Sequence, residues 1–174
     1  LLTVRIRHVS ENTVARTRVM IVDDHEIVRR GIAEIVDRDE ALEVVAEAGS
    51  VADAVRRADL VRPDVILVDL QLPDGTGIEL MQELRDSVPQ ALPIVLTSFD
   101  DDEALAESLE AGARAYILKT VRGAEITDVI KAVADGRVLL DERTLTRRRV
   151  DHEDPTADLT PSERKVLDLI GDGL

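Results

Sequence analysis

The sequence contains no cysteine and no tryptophan, and its only two aromatic residues are Phe99 and Tyr116. The absence of cysteine excludes disulfides, thiolate metal sites and a cysteine nucleophile. No apolar run approaches the roughly 20 residues that cross a bilayer. Arg and His interrupt the hydrophobic residues of segment 1–17, so this segment does not resemble a signal peptide. We therefore expect a cytoplasmic protein without a membrane partner.

Positive charge is also scarce. The chain has 22 Lys and Arg against 36 Asp and Glu, a net charge of −14. Residues 18–138 hold most of the acidic excess, with 13 basic and 26 acidic side chains. Binding to DNA requires clustered Lys and Arg that neutralise phosphates. We expect this chain by itself not to bind DNA specifically.

Hydrophobic residues make up 44% of the sequence, and nearly all of them are Val, Ile, Leu and Ala. From residue 18 onward, short β-branched runs alternate with amphipathic stretches. The strand candidates are 19–22, 44–48, 64–68, 94–97 and 115–118. The helical patterns lie near 25–37, 51–61, 77–87, 102–111 and 123–134. Strict alternation of five strands with five helices predicts an α/β fold with a doubly wound, five-stranded parallel sheet.

The pattern changes after Gly136. Residues 139–158 are polar and contain Pro155, which indicates a linker following a domain at 18–138. At Thr160 the sequence TPSE is typical of a helix start, with an N-cap, a proline at the first position and a capping box. A single helix over 159–174 is marginal alone, so we expect a C-terminally truncated all-α domain. We expect residues 1–17 to lie outside the folded domain, as a disordered extension.

Acidic and hydroxyl residues follow the predicted strands. Asp23 and Asp24 follow the first strand, Asp69 follows the third, Thr97 ends the fourth, and Lys119 follows the fifth. Ligands of doubly wound sheets bind beyond the carboxyl ends of the strands, so these side chains should converge. Three neighbouring carboxylates repel one another unless a cation lies among them. A site of carboxylate oxygens selects Mg²⁺, with Mn²⁺ as an alternative.

A carboxylate beside a divalent cation, an ammonium group and a hydroxyl is suited to hold a phosphoryl group. The carboxylate can act as the nucleophile and form an acyl phosphate, while the cation and ammonium neutralise charge on the phosphoryl oxygens. The run Gly75-Thr76-Gly77 superficially suggests a dinucleotide-binding loop, but Leu80 stands where a third glycine is needed. These glycines fit a turn that opens the next helix.

Four runs resemble the receiver domain of bacterial response regulators over residues 18–138: IVDDHEIVRRG, DVILVDLQLPDGTGIEL, PIVLTS and AYILK. The final run, LTPSERKVLDLIGDGL, is similar to the opening of a LuxR-type helix-turn-helix, which indicates the NarL/FixJ subfamily. Within it, the runs DDHEIVRRG, EAGSV, LPDGTGIEL and LTSFDDDEA look most like the actinobacterial DevR/DosR-type regulators. The resemblance implies a flavodoxin-like fold.

The resemblance also implies roles for individual residues. Asp69 would accept the phosphoryl group, and Lys119 would pair with a phosphoryl oxygen. Asp23, Asp24 and Asp69, with the backbone carbonyl of Gln71, would hold Mg²⁺.

Two further residues would form the switch that responds to phosphorylation. Thr97 would bond a phosphoryl oxygen, and Tyr116 would change its rotamer when Thr97 moves. One position departs from the pattern, because Thr120 stands where most receivers have proline after the lysine. We expect the Lys119–Thr120 peptide to be trans, since a non-proline cis bond costs about 3–4 kcal/mol.

By this resemblance the chain is a transcription regulator rather than an enzyme. A sensor histidine kinase would phosphorylate Asp69, phosphorylation would favour a homodimer, and a helix-turn-helix domain would bind DNA. A Mg²⁺-dependent phosphohydrolase and a phosphorylation-independent interaction module remain alternatives. A haloacid-dehalogenase phosphatase is disfavoured because Gln71 occupies the position of its second aspartate.

Overall fold

The computed structural model describes residues 15–98 and 102–139. Its strands are β1 (Thr17–Val22), β2 (Leu42–Ala48), β3 (Val65–Val68), β4 (Gln71–Leu72), β5 (Gly75–Thr76), β6 (Leu92–Thr97) and β7 (Ala115–Leu118). Five of them form one parallel sheet in the order β2-β1-β3-β6-β7, while β4 and β5 form a short antiparallel hairpin. Counting only the parallel strands, the order is 2-1-3-4-5, which is the flavodoxin-like arrangement. The predicted sheet is confirmed.

The five helices also lie where the amphipathic patterns predict them. They are α1 (Glu26–Asp37), α2 (Val51–Val61), α3 (Gly77–Ser87), α4 (Asp102–Glu110) and α5 (Gly123–Ala134). The central strands β1, β3 and β6 are largely buried on both faces, because helices cover each side of the sheet. One core cluster joins the sheet to α1 and α5. The other joins its opposite face to α2 and α3 and includes the buried alanines after α4.

The sheet extends slightly beyond the predicted domain limits at both ends. β1 begins at Thr17, which pairs with Leu42 and donates its N–H to the Ala41 carbonyl at 2.8 Å. At the other end, Leu139 forms a bridge with Ala115. The sequence pattern places Thr17 in the extension before the first predicted strand and Leu139 in the polar linker. Backbone hydrogen bonds do not depend on side-chain polarity, so the pattern missed them.

The β4–β5 hairpin explains the glycine-rich run that suggests a dinucleotide loop in sequence. Thr76 caps α3, because its Oγ1 accepts from the Glu79 N–H at 3.1 Å and its own N–H donates to the Glu79 carboxylate at 2.8 Å. Gly77 is the first residue of α3, and a Cβ there would lie 2.3 Å from the Asp69 carbonyl oxygen. The glycine permits close backbone packing at the helix start, as the turn interpretation predicted.

The same hairpin also caps a neighbouring helix. The Asp74 carboxylate accepts hydrogen bonds from the Val51 and Ala52 N–H groups at 2.7 and 3.0 Å, and Ser50 Oγ accepts from Asp53 at 3.2 Å. These bonds satisfy three of the N–H groups that a helix start leaves unpaired. The bonds from the Ala52 and Val51 N–H groups also hold the pKa of the Asp74 carboxyl below its ordinary value.

Several predictions fall outside the described residues. The extension up to residue 14, the linker from residue 140 and the helix at 159–174 stay predictions. Within 15–98 and 102–139 no peptide bond is cis, so the Lys119–Thr120 bond is trans as predicted. None of the helices in these ranges is long and apolar enough to cross a membrane.

Substituting Gly77→Ala should destabilise the protein, because the new methyl group would overlap the Asp69 carbonyl. We expect a loss of about 1–3 kcal/mol in the free energy of unfolding, as for other overpacked sites. Gly31→Ala is the matched control, since this exposed α1 glycine has open space around its Cβ position. It should stabilise the protein by about 0.5–1 kcal/mol. Urea unfolding would measure both, and equal effects of the two substitutions would contradict the packing argument.

Asp74→Asn should weaken the cap of α2 in a pH-dependent way. A carboxyl whose pKa is lower in the folded protein stabilises it above the unfolded pKa, and this contribution is lost as pH falls through the folded pKa. The difference in unfolding free energy between wild type and variant should therefore be largest near neutral pH. It should shrink as the pH falls below the ordinary value of 3.8. Urea titrations at several pH values would measure it, with Asp86→Asn as an exposed control; a pH-independent difference would refute the capping role.

Candidate functional site

Backbone hydrogen bonds continue the sheet past its strands and hold the residues at its carboxyl edge. The N–H of Asp23 donates to the Ala48 carbonyl at 3.1 Å, and the N–H of Asp69 donates to the Val22 carbonyl at 2.9 Å. The N–H of Lys119 donates to the Thr97 carbonyl at 2.7 Å. Three of the predicted site residues, which follow β1, β3 and β7, are therefore positioned by the ladder itself at the carboxyl edge of the sheet.

The Lys119 ammonium lies between two buried carboxylates. Its Nζ is 2.6 Å from Asp69 Oδ2 and 2.7 Å from Asp23 Oδ2. Burial of the ammonium acts to lower its pKa, but the bonds to Asp23 and Asp69 outweigh burial, so the net pKa of Lys119 is raised. Lys119 is therefore a fixed positive charge at neutral pH.

The second acid of the pair lies nearer to solvent. Asp24 is half-exposed, and its Oδ1 is 2.7 Å from Nδ1 of His25. The backbone N–H of His25 donates to Asp23 Oδ1 at 2.8 Å, which turns the chain at the start of α1. Asp23, Asp24, His25 and Asp69 each offer a ligand atom, and these atoms lie within 4.8 Å of one another. The acidic side chains therefore lie close together at the carboxyl edge of the sheet, as the sequence predicts.

The charge of this cluster suits a divalent cation. Three carboxylates and one ammonium leave a net charge of −2, and two of the carboxylates are buried. Uncompensated buried charge is costly, so a cation of charge +2 would balance the site. Carboxylate oxygens are the ligands preferred by Mg²⁺. The side chain of His25 is 68% exposed although it borders the cluster.

Gln71 and Thr97 also lie at this edge. The N–H of Gln71 donates to Asp69 Oδ1 at 3.3 Å, so its backbone adjoins the carboxylate. Thr97 is buried at the end of β6, directly opposite Leu118 in the ladder. The side chain of Lys119 thus emerges next to the strand end that carries Thr97.

Tyr116 lies on the sheet face that also carries Thr97. It pairs with Val95 in the β6–β7 ladder and packs against the same core cluster as Val95. Because side chains alternate along a strand, Thr97 shares the face of Val95. The two residues assigned to the switch therefore occupy adjacent strands on one face.

Arg29 also lies at this site, although the sequence pattern does not indicate a role for it. Arg29 of α1 donates from Nη1 to the Asp23 carbonyl at 2.6 Å, and its Nε lies 3.3 Å from a Glu47 carboxylate oxygen. The run DDHEIVRRG contains Arg29, but sequence spacing does not distinguish it from the neighbouring Arg30. Only the direction of each side chain separates them.

The arrangement can present one oxygen of a buried carboxylate to an electrophile. Asp69 Oδ2 is held by Lys119, and among residues 15–98 and 102–139 Oδ1 accepts only the 3.3 Å bond from the Gln71 N–H. A positive charge on one side and an acidic cluster on the other match the charge distribution of a phosphoryl group bound together with a divalent cation. Nucleophilic attack by the carboxylate on phosphorus is chemically feasible here.

Comparisons with known proteins agree with this geometry. A model of the response regulator receiver domain matches residues 19–131. The DNA-binding transcriptional activator DevR/DosR of Mycobacterium tuberculosis is 42% identical over 163 residues, which cover 90% of this chain and 75% of the relative. The transcriptional regulatory protein LiaR of Bacillus subtilis is 39% identical over 162 residues, covering 90% of this chain and 77% of the relative.

Solved structures show the same fold. A LuxR-family two-component response regulator from Aurantimonas sp. SI85-9A1 superposes with a TM-score of 0.72 at 30% identity, covering 80% of this chain and 100% of that chain. The NarL signal receiver domain from Mycobacterium tuberculosis gives a TM-score of 0.68 at 26% identity, covering 71% of this chain and 99% of that chain. The resemblance found in the sequence is confirmed, and the chain belongs to the NarL/LuxR-type response regulators, the phosphorylation-dependent regulators of two-component systems.

Proposed function

We propose that Asp69 is the phosphoacceptor of a cytoplasmic response regulator and that a sensor histidine kinase is its phosphoryl donor. The observation that carries this proposal is the Lys119 ammonium, which lies 2.6 Å from Asp69 and 2.7 Å from Asp23 at the carboxyl edge of the sheet. In the reaction, an Asp69 oxygen forms a bond to phosphorus as the phosphorus–nitrogen bond of the kinase phosphohistidine breaks. The nitrogen recovers its proton from solvent.

Mg²⁺ is the proposed cofactor, and Mn²⁺ suits the same ligands. Asp23, Asp24 and Asp69 would hold the ion, together with the backbone carbonyl of Gln71. When bound, the ion neutralises negative charge on the phosphoryl oxygens. The net charge of −2 in the cluster supports this assignment, because a divalent cation would bring the cluster to neutrality.

Lys119 would stabilise the phosphorylated state. Its ammonium already contacts Asp69 Oδ2 and is kept protonated by its two carboxylate partners. A phosphoryl group on Asp69 would give this ammonium new oxygens to bind. Charge-assisted bonds of this kind are stronger than neutral ones.

Thr97 and Tyr116 would convert phosphorylation into a change of surface. Thr97 ends the strand beside Lys119, and Tyr116 lies on the same face of the neighbouring strand. A bond from Thr97 to a phosphoryl oxygen would shift the end of β6, and Tyr116 would follow. Such local shifts change interfaces when two packings of the domain have similar energy.

The change of surface would favour a homodimer, and a C-terminal helix-turn-helix domain would then bind DNA. The relatives that support this step are named as a DNA-binding transcriptional activator and a transcriptional regulatory protein. The described residues would not bind DNA themselves, since residues 18–138 carry twice as many acidic as basic side chains.

An enzyme acting on an external phosphate ester is the less favoured function. Asp69 and Asp23 are both buried, and Lys119 occupies the space between them. Multiple turnovers of a small phosphate ester would support the enzyme, whereas labelling that stops at one phosphoryl group per chain supports the receiver. If the chain were an interaction module that works without phosphorylation, the Asp69→Asn variant would function as well as the wild type.

Incubation with acetyl phosphate and Mg²⁺ should add one phosphoryl group to the wild-type chain and none to Asp69→Asn. The physical reason is that the amide of asparagine is not a nucleophile of this kind. Intact-mass spectrometry would measure the label. Asp135→Asn, which removes an exposed carboxylate after α5, should be labelled like the wild type. Equal labelling of wild type and Asp69→Asn would disprove the assignment.

Thr97→Ala should accept the phosphoryl group but respond to it weakly. A charge-assisted hydrogen bond contributes roughly 1.5–3 kcal/mol, so its loss should reduce the phosphorylation-induced gain in dimerisation about tenfold or more. Analytical ultracentrifugation with beryllofluoride would measure the dimerisation constant. Thr97→Ser should retain the response because it keeps the hydroxyl, and Ser98→Ala is a control at the next, exposed position. An unchanged dimerisation constant in Thr97→Ala would exclude this route.

A further inference from the structure

We propose that Arg29 is a positioning residue for the cation site, and that it acts by fixing the backbone of Asp23. This inference rests on the proposed function, because it concerns the Mg²⁺ ligands of the same site. Arg29 does not touch a ligand carboxylate in the contacts that the structure gives it. It holds the peptide from which one of those carboxylates projects.

The side chain of Arg29 is placed differently from that of its neighbour. Arg29 is 18% exposed, and its guanidinium reaches both the Asp23 carbonyl and Glu47. Arg30 is 75% exposed and pairs only with Glu26, one turn away on the same helix. The two residues have the same charge and lie in the same helix, but they differ in exposure and in what they contact.

The guanidinium connects three segments of the fold. Its stem rises from α1, Nη1 bonds the loop after β1, and Nε contacts Glu47 near the end of β2. The position of a Cβ on Gly49 would lie 3.5 Å from the same Nη1, so the group packs closely against the β2–α2 turn. The planar guanidinium of arginine can contact two groups that lie in different directions, which the single ammonium group of lysine does less well.

The acidic loop, which bears Asp23 and Asp24 between β1 and α1, needs such a restraint. Asp23, Asp24 and Asp69 carry like charges within a few ångströms, and Lys119 offsets only part of their repulsion. Side-chain repulsion would move the loop that bears Asp23 and Asp24 away from Asp69. The bond from Arg29 to the Asp23 carbonyl opposes this movement without occupying a carboxylate oxygen.

Charge and position predict opposite effects for the loss of Arg29. As a nearby positive charge, Arg29 weakens the attraction of a cation to the acidic cluster. Removing the charge alone would therefore tighten Mg²⁺ binding. As a positioning group, Arg29 keeps the ligands in place, and its removal would weaken Mg²⁺ binding. The sign of the change in affinity distinguishes the two.

The experiment measures the dissociation constants of Mg²⁺ and Mn²⁺ for the full chain by isothermal titration calorimetry. We expect Arg29→Gln to bind about 10–100-fold more weakly than the wild type, as for other residues that orient metal ligands. Arg30→Gln should bind like the wild type or slightly more tightly, because it removes a charge without removing a contact to the loop.

Two further variants keep the test decisive if Arg29→Gln does not fold, which thermal unfolding without metal would reveal. Arg29→Lys preserves the charge and can keep one of the two contacts of the guanidinium, so we expect a smaller loss of affinity than in Arg29→Gln. Glu47→Gln weakens the hold on the guanidinium but also removes a negative charge, so Glu26→Gln, which removes the same charge from the partner of Arg30, is its control. Glu47→Gln should bind Mg²⁺ more weakly than Glu26→Gln does. Wild-type affinity in both Arg29→Lys and Glu47→Gln would overturn the proposal in that case.

The outcomes also separate this inference from the proposed function. Failure of the wild-type chain to bind Mg²⁺ and to accept a phosphoryl group would overturn both. Normal binding by the wild type, with equal or tighter binding by a folded Arg29→Gln, would overturn only the role of Arg29. A lower affinity in Arg29→Gln with an unchanged Arg30→Gln supports it.

Discussion

Two buried carboxylates that share one ammonium group are the interaction on which the rest of the site depends. Lys119 lies within hydrogen-bonding distance of Asp23 and Asp69, and these three residues come from three different strand ends. Each carboxylate would be costly to bury alone. The ammonium between them offsets this cost, and the third carboxylate, Asp24, gives the cluster a formal excess of negative charge that a divalent cation would balance.

The backbone carries much of this arrangement. Asp23 and Asp69 are held by ladder hydrogen bonds that continue β1 and β3 past their last residues. The close approach of Gly77 to the Asp69 carbonyl joins α3 to the same edge. The Asp74 carboxylate ties the β4–β5 hairpin to α2. The loops around the site are thus joined to one another, and a change at Asp69 can reach several helices.

The two residues of the proposed switch lie on neighbouring strands of the same sheet. Thr97 and Tyr116 lie on adjacent strands and on one face of the sheet, so a displacement at the end of β6 has a direct neighbour in β7. Core packing of Val, Ile, Leu and Ala leaves few alternative arrangements. Tyr116 is the single aromatic residue among those that the structure describes, and a displacement of β6 would change its packing.

The sequence by itself determined the alternation of the five parallel strands with the five helices, and with it the convergence of Asp23, Asp24, Asp69, Thr97 and Lys119, whereas the β4–β5 hairpin was visible only in the structure. Periodicity encodes the strands and helices, and a parallel sheet must bring its strand ends to one edge. Only the tertiary structure decided which charged side chains form ion pairs, because a contact depends on the direction of each side chain as well as on its spacing along the sequence. Arg29 and Arg30 are adjacent in sequence, yet one holds the acidic loop and the other points to solvent. Their difference arises from the turn of α1, which directs one arginine towards β2 and the other away from the sheet.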